Sequence, residues 1–139
     1  MNIPEGYSYA PSPSPFVNHI GNIFYRQVKV SEAVTEFWVA MYMEDHHVNS
    51  WGLAHGSVMA CMAEIGTAAP AWVADGPPVV AIDMGMQFIA APKKGELLEV
   101  CSIADKRTRS LVFTSAKGYV AGHIVFSANS IQKILKGQG

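Results

Sequence analysis

One run constrains this chain more than any other: HGSVMACMAEIGTAA, residues 55 to 69. It offers the one long helix candidate in a chain that otherwise reads as strands. Its residues are small or apolar nearly all round, which marks a helix covered on every side. Gly66 and Thr67 weaken it, and Pro70 ends or kinks it.

The flanking segments supply the cover. Residues 22–30 and 33–43 are rich in β-branched and aromatic side chains and read as two strands joined at Ser31-Glu32. In residues 79–90, Val80, Ile82, Met84, Met86 and Phe88 alternate with Val79, Ala81, Asp83, Gly85 and Gln87. That is the period of a strand. A turn over 91–96 leads to strands over 96–104, 110–120 and 121–135. Ser14 and Pro15 open a short helix over 15–20, with Ser14 as cap, and Gly21 closes it. Residues 1–14 are rich in Pro, Ser and Tyr and form an extended N-terminal arm, leaving 15–139 as a single domain.

With no second long helix, parallel crossovers are not available, so the sheet is antiparallel and the class α+β. The expected architecture is a curved antiparallel sheet of five to six strands wrapped around one long central helix.

Half of the residues are hydrophobic and only 15% are charged. So few charges cover an isolated surface poorly, which points to an oligomer. The net charge of −1, without clustered Lys and Arg, argues against a nucleic-acid partner. No apolar run approaches the roughly 20 residues of a membrane span, and no signal-peptide pattern opens the chain. The expectation is a cytoplasmic protein with no membrane partner. Cys61 and Cys101, in apolar runs, read as reduced thiols.

The helix run also carries the chemistry. The first amides of a helix lack internal partners and sit at the positive end of its dipole. Those of Gly56, Ser57 and Val58 can hold a carbonyl oxygen that gains charge, and Gly56 lets a ligand approach closely. Gly56 can equally be a plain helix start. Glu64 lies eight residues on, about 12 Å along the axis. One substrate carbonyl cannot touch both within a chain. If the two work together, Glu64 comes from a second subunit with an antiparallel helix, as a two-fold dimer supplies. Otherwise Glu64 is a solvated residue at a helix end.

Asn49 suits an Asx turn, or an amide offered to water or substrate. Asp45, His46, His47 and His55 invite a metal reading, but adjacent histidines point apart in a strand, and the spacing fits no structural zinc pattern. The expectation is no metal, with His55 bracing the helix start. Ser57 lacks a nucleophile-elbow context and Cys61 lacks a base. Lys93, Lys94, Lys106, Arg107 and Arg109 are turn charges that can also hold phosphates.

Asn49, then GLAHGS at 52–57, then Glu64 resembles the signature of hotdog-fold acyl-CoA thioesterases of the PaaI-like type, in the 4-hydroxybenzoyl-CoA thioesterase superfamily. The resemblance runs on through VVAIDMGMQFIAAPKKGELLEV and RTRSLVFTSA, and spans roughly residues 15–135. It implies hydrolysis of an acyl-CoA to a free acid and coenzyme A, by a homodimer often paired into a homotetramer. It implies no cofactor beyond the coenzyme A of the substrate. By position, the Gly56 N–H polarises the thioester carbonyl and Asn49 places the thioester or the water. Glu64 of the partner acts as general base or nucleophile.

Some positions depart from the family. Ser57 stands where a second Gly is usual, and Glu64 where Asp is common. The positions of a helper hydroxyl look like Ala81 and Ala68, with Thr67 the nearest substitute. The acyl group is expected against Trp51, Met59, Met62 and Phe88, and the phosphates near Lys106, Arg107 or Arg109. Two rivals remain: a hotdog hydratase or dehydratase using His55 with Glu64, and a non-catalytic acyl-CoA binding module.

Overall fold

A computed structural model describes residues 1–136 of the chain. The end of the expected domain, 137–139, lies outside the described residues. Seven strands and two helices form: β1 (Ser8–Tyr9), α1 (Pro15–Ile20), β2 (Phe24–Lys29), β3 (Thr35–Tyr42), α2 (Gly56–Ala68), β4 (Val79–Phe88), β5 (Leu97–Arg107), β6 (Leu111–Val120) and β7 (His123–Ile134). A 3₁₀ turn, Asp45–His47, sits between β3 and α2. All pairings are antiparallel, in the order β1-β2-β3-β5-β6-β7-β4.

Local signals set both helices. Ser14 Oγ accepts the Val17 N–H at 3.3 Å, and Pro15 takes the first helical position of α1. The His55 ring caps α2, and Ala69 before Pro70 closes it.

The class is as expected, but the wrapped architecture is not. The sheet has seven strands rather than five to six. It is open, with β1 and β4 as its two edges, and it is not curled round the helix. Helix α2 lies across one face. Its buried residues are Met59, Met62, Ala63, Gly66 and Thr67, a single stripe. Ser57 and Glu64 are exposed, and Ala60, Cys61 and Ala68 are half-buried. Small residues counted as apolar all round in the sequence, yet the sheet covers one side only.

That stripe packs on β3, β5, β6, β7 and β4. A β-carbon on Gly66 would lie 2.7 Å from Val100 Cγ1, so the helix comes down onto the sheet there. Ser102 Oγ donates to the Gly66 carbonyl at 2.5 Å and fixes the crossing. Val39, Met41, Leu98, Val100, Phe126 and Ala128 fill the layer between helix and sheet.

The alternation read in residues 79–90 also needs correction. A bulge between Ala81 and Asp83 shifts the register, so Ala81 pairs with Gln132 while Asp83 pairs with Ile131. Val79 and Ala81 therefore share the helix-side face with Met84, Met86 and Phe88. Val80 and Asp83 fall on the other face.

The arm is not merely extended. It adds β1 to the sheet, and Tyr7 Oη donates to Glu99 at 2.8 Å. The Arg26 guanidinium sits between the rings of Tyr7 and Trp38, at 4.8 and 4.7 Å.

Candidate active site

The loop into α2 is shaped by Asn49. Its Oδ1 accepts the N–H groups of Trp51 at 2.9 Å and Leu53 at 3.2 Å. This is the Asx turn, and it commits the amide oxygen while leaving Nδ2 without an acceptor among the described residues. His55 then caps the helix. Its Nδ1 lies 2.8 Å from Ser57 Oγ and accepts the Ser57 N–H at 3.4 Å. The His55 carbonyl takes the N–H groups of Val58 and Met59.

Of the opening amides of α2, that leaves Gly56 without an acceptor among the described residues. A shallow cavity of about 270 Å³ adjoins it, lined by Ala54, Gly56, Met59, Phe88, Ile89, Ala90 and Ala91. Three residues expected from the sequence, Gly56, Met59 and Phe88, meet here. Ala54 and 89–91 were missed as site residues: Ile89 and Ala90 were read into a strand that ends at Phe88, and Ala54 and Ala91 sit in the loops before α2 and after β4.

Glu64 is exposed on the outer side of α2, on the same helix but well beyond the cavity. The chain by itself does not bring Glu64 to Gly56. Trp51 is 81% exposed and outside the cavity. Met62 is fully buried in the core and does not line it either.

Thr67 does not supply the missing hydroxyl. It is fully buried, and its Oγ1 donates to the Ala63 carbonyl at 2.8 Å. Ala81, carried to the helix-side face by the bulge, has only a methyl group there.

Lys106, Arg107 and Arg109 are exposed around the β5–β6 turn. Arg107 Nη2 donates to the Pro70 carbonyl at 3.0 Å, so this basic corner lies beyond the Glu64 end of α2. Lys94 pairs with Asp45, whose carboxyl is held below its ordinary range by that ammonium.

The histidine pair does not point apart. His46 and His47 turn toward one carbonyl, that of Ile20. With Glu44 they lie within 4.8 Å of one another, a grouping that could suggest a metal. His47 argues against it: Nδ1 accepts the Glu44 N–H at 2.9 Å and Nε2 reaches Ile20 O at 2.5 Å, so neither ring nitrogen is spare.

Both cysteines are free, as expected, and each is half-buried. Burial, and then Glu64, pushes the Cys61 thiol up to about 11. Burial, and then Glu36, pushes that of Cys101 up to about 12. Neither is suited to nucleophilic work at neutral pH.

A larger cavity of about 620 Å³ lies between the N-terminal residues and the 94–95 turn, beside Met1, Phe24, Tyr42 and Lys94. None of the expected catalytic residues lines it. The chemistry, not the volume, selects the smaller cavity.

No helix among the described residues is long and apolar enough to cross a membrane. Residues 52–125 match the family described as the thioesterase superfamily. A Pseudomonas aeruginosa protein named a putative esterase is 30% identical over 133 residues, 94% of this chain and 96% of its own. Human acyl-coenzyme A thioesterase 13 is 31% identical over 87 residues, 62% of each chain. A mutant of the phenylacetic acid degradation protein PaaI from Thermus thermophilus superposes with a TM-score of 0.71. It is 20% identical and covers 88% of this chain and all of that one, a likeness of fold.

Proposed function

Since the chain belongs to the thioesterase superfamily, we propose that it hydrolyses acyl-CoA thioesters to a free acid and coenzyme A. One observation carries this reading: the Gly56 N–H, unpaired among the described residues, at the positive end of α2 beside an apolar cavity. An oxygen that gains negative charge as water adds to the thioester carbon is stabilised at such a place.

Gly56 donates to the thioester oxygen, and Asn49 Nδ2 orients the thioester or the water. The carboxylate is the partner's Glu64. As general base it takes a proton from water while the water oxygen bonds to the carbonyl carbon. The C–S bond then breaks and coenzyme A leaves as thiolate. As nucleophile, Glu64 instead forms an anhydride that water opens.

Strand β4 supports the dimer. It is a ten-residue edge strand, with Val80, Ile82 and Phe88 exposed at 42%, 55% and 56%. An edge this long and apolar is a pairing surface. Pairing two β4 edges about a two-fold axis brings the α2 helices together antiparallel, the Glu64 end of one beside the Gly56 start of the other. The same operation carries Lys106, Arg107 and Arg109 toward the partner's site, where they meet the coenzyme A phosphates. Met59 and Phe88 contact the acyl group, with Trp51 and Ser57 at the rim. Two such dimers pair into a tetramer.

Thiol release measured over short, long and aromatic acyl-CoAs tests the reading. Glu64→Ala is expected to abolish release and leave the assembly intact. Release that is unchanged in that variant sinks the assignment.

A further inference from the structure

The 3₁₀ turn holds more than itself. His47 is 4% exposed. Its Nδ1 accepts the Glu44 N–H, which puts the ring proton on Nε2. Nε2 donates to the carbonyl of Ile20, the last residue of α1, and His46 Nε2 meets the same oxygen at 2.9 Å. The backbone of His47 faces the other way. Its carbonyl accepts the N–H of His55 at 2.9 Å, and His55 is the cap of α2. The peptide plane after His55 carries the Gly56 N–H. Val58 and Met59 hold that plane by donating to the His55 carbonyl, and His47 holds the peptide just before it, through the His55 N–H, so both neighbours of the His55 α-carbon are anchored. A β-carbon at Gly21 would lie 2.9 Å from Met41 Sδ and 3.5 Å from His47 Cε1, so the ring packs beside the bare backbone of Gly21 at the end of α1.

We propose that His47 is a positioning residue for the Gly56 amide, tying the end of α1 to the start of α2. The inference rests on the hydrolase reading above. An amide that stabilises developing charge works only if it is already aimed, and displacements well below 1 Å weaken it. His47 fixes that aim without touching substrate.

Two variants test it. His47→Asn keeps an acceptor near the Nδ1 position and gives up the Ile20 carbonyl. His47→Phe keeps the ring shape and loses both bonds. The expected kcat loss is about 10- to 100-fold for Phe and smaller for Asn, with KM changed less than about twofold. Hydrogen exchange at the His55 N–H is expected to speed up in the same order. Val112→Ala, a core variant on β6 remote from the helix start, is expected to lose stability and keep kcat.

Wild-type kcat in His47→Phe overturns the proposal. So does an equal kcat loss in Val112→Ala at the same loss of melting temperature. If the Phe variant does not fold, Asn decides: wild-type kcat and exchange in it overturn the proposal. A wild type that releases no thiol overturns the hydrolase reading instead, while His55 exchange still reports the tether.

Discussion

The Phe88 ring lies 3.6 Å from the point where a β-carbon on Gly56 would stand, an ordinary contact distance, so the start of α2 accepts a side chain. This permits a substitution that replaces the one N–H by a ring carbon. Gly56 is the first residue of α2, where proline is favoured, and His55 is extended at φ −65° and ψ 141°, as a residue before proline must be. Gly56→Pro is expected to fold as the parent does. Its kcat is expected to fall about 100- to 1,000-fold, the cost of one lost donor to a developing oxyanion. Steady-state kinetics beside a thermal melt checks both halves.

One substitution separates the Asx turn of Asn49 from the donor role proposed for it. Asn49→Asp keeps the oxygen that accepts the N–H groups of Trp51 and Leu53 and removes the Nδ2 donor. The melting temperature is expected to stay within about 2 °C, while turnover drops at least about tenfold. Asn49→Ala is expected to lose loop order as well, seen as faster hydrogen exchange over residues 51–53.

Gly66 sets how closely α2 approaches the sheet. Gly66→Ala drives a methyl group to within 2.7 Å of Val100 Cγ1. Overpacking of this kind costs about 1–3 kcal/mol, measured by urea unfolding. Val100→Ala in the same chain is expected to recover part of the loss, because the two sites share one volume.

The thiols give a pH dependence with a definite sign. In the folded chain Cys61 and Cys101 are raised to about 11 and about 12, from an ordinary 9.0, chiefly by burial. A thiol held neutral by folding contributes its full stability below pH 9. That contribution is lost as pH rises from 9 through the raised values. The urea midpoint is expected to decline between pH 8.5 and 10.5, and less so in Cys61→Ser/Cys101→Ser. At pH 8.5, iodoacetamide is expected to label native Cys61 about a hundred-fold more slowly than the unfolded chain.

What the sequence disclosed follows from how local each signal is. Ser14, Pro15 and Gly21 bound α1 as read, because a cap, a fixed φ and a break act within one turn. His55 and Pro70 bracket α2 for the same reason. The wrap failed because the composition of α2 tells which residues tolerate burial, and not which are covered. Glu64 and Ser57 lie on its open side. Nothing in VVAIDM marks the bulge that moves Ala81 across the sheet. The two residues of β1 form only because β2 is there to pair with them. His46 and His47 converge because a 3₁₀ turn sets neighbours about 120° apart rather than on opposite faces. Gly56, as an amide, and Met59 and Phe88, as acyl contacts, were each legible, but Trp51 and Met62, read beside them, do not line the cavity, and one chain does not bring Gly56 and Glu64 together.

In the proposed dimer, Glu64 of one chain serves Gly56 of the other. Glu64→Ala and Gly56→Pro, each inactive alone, should therefore complement when co-expressed. A mixed dimer then holds one intact site, built from Gly56 of the first chain and Glu64 of the second, and one doubly defective site. Random pairing of equal amounts makes half of the dimers mixed, so thiol release should return to about a quarter of the wild-type rate. If the separately purified variants are inactive and the co-expressed, demonstrably mixed dimers are inactive too, the site is not shared between subunits.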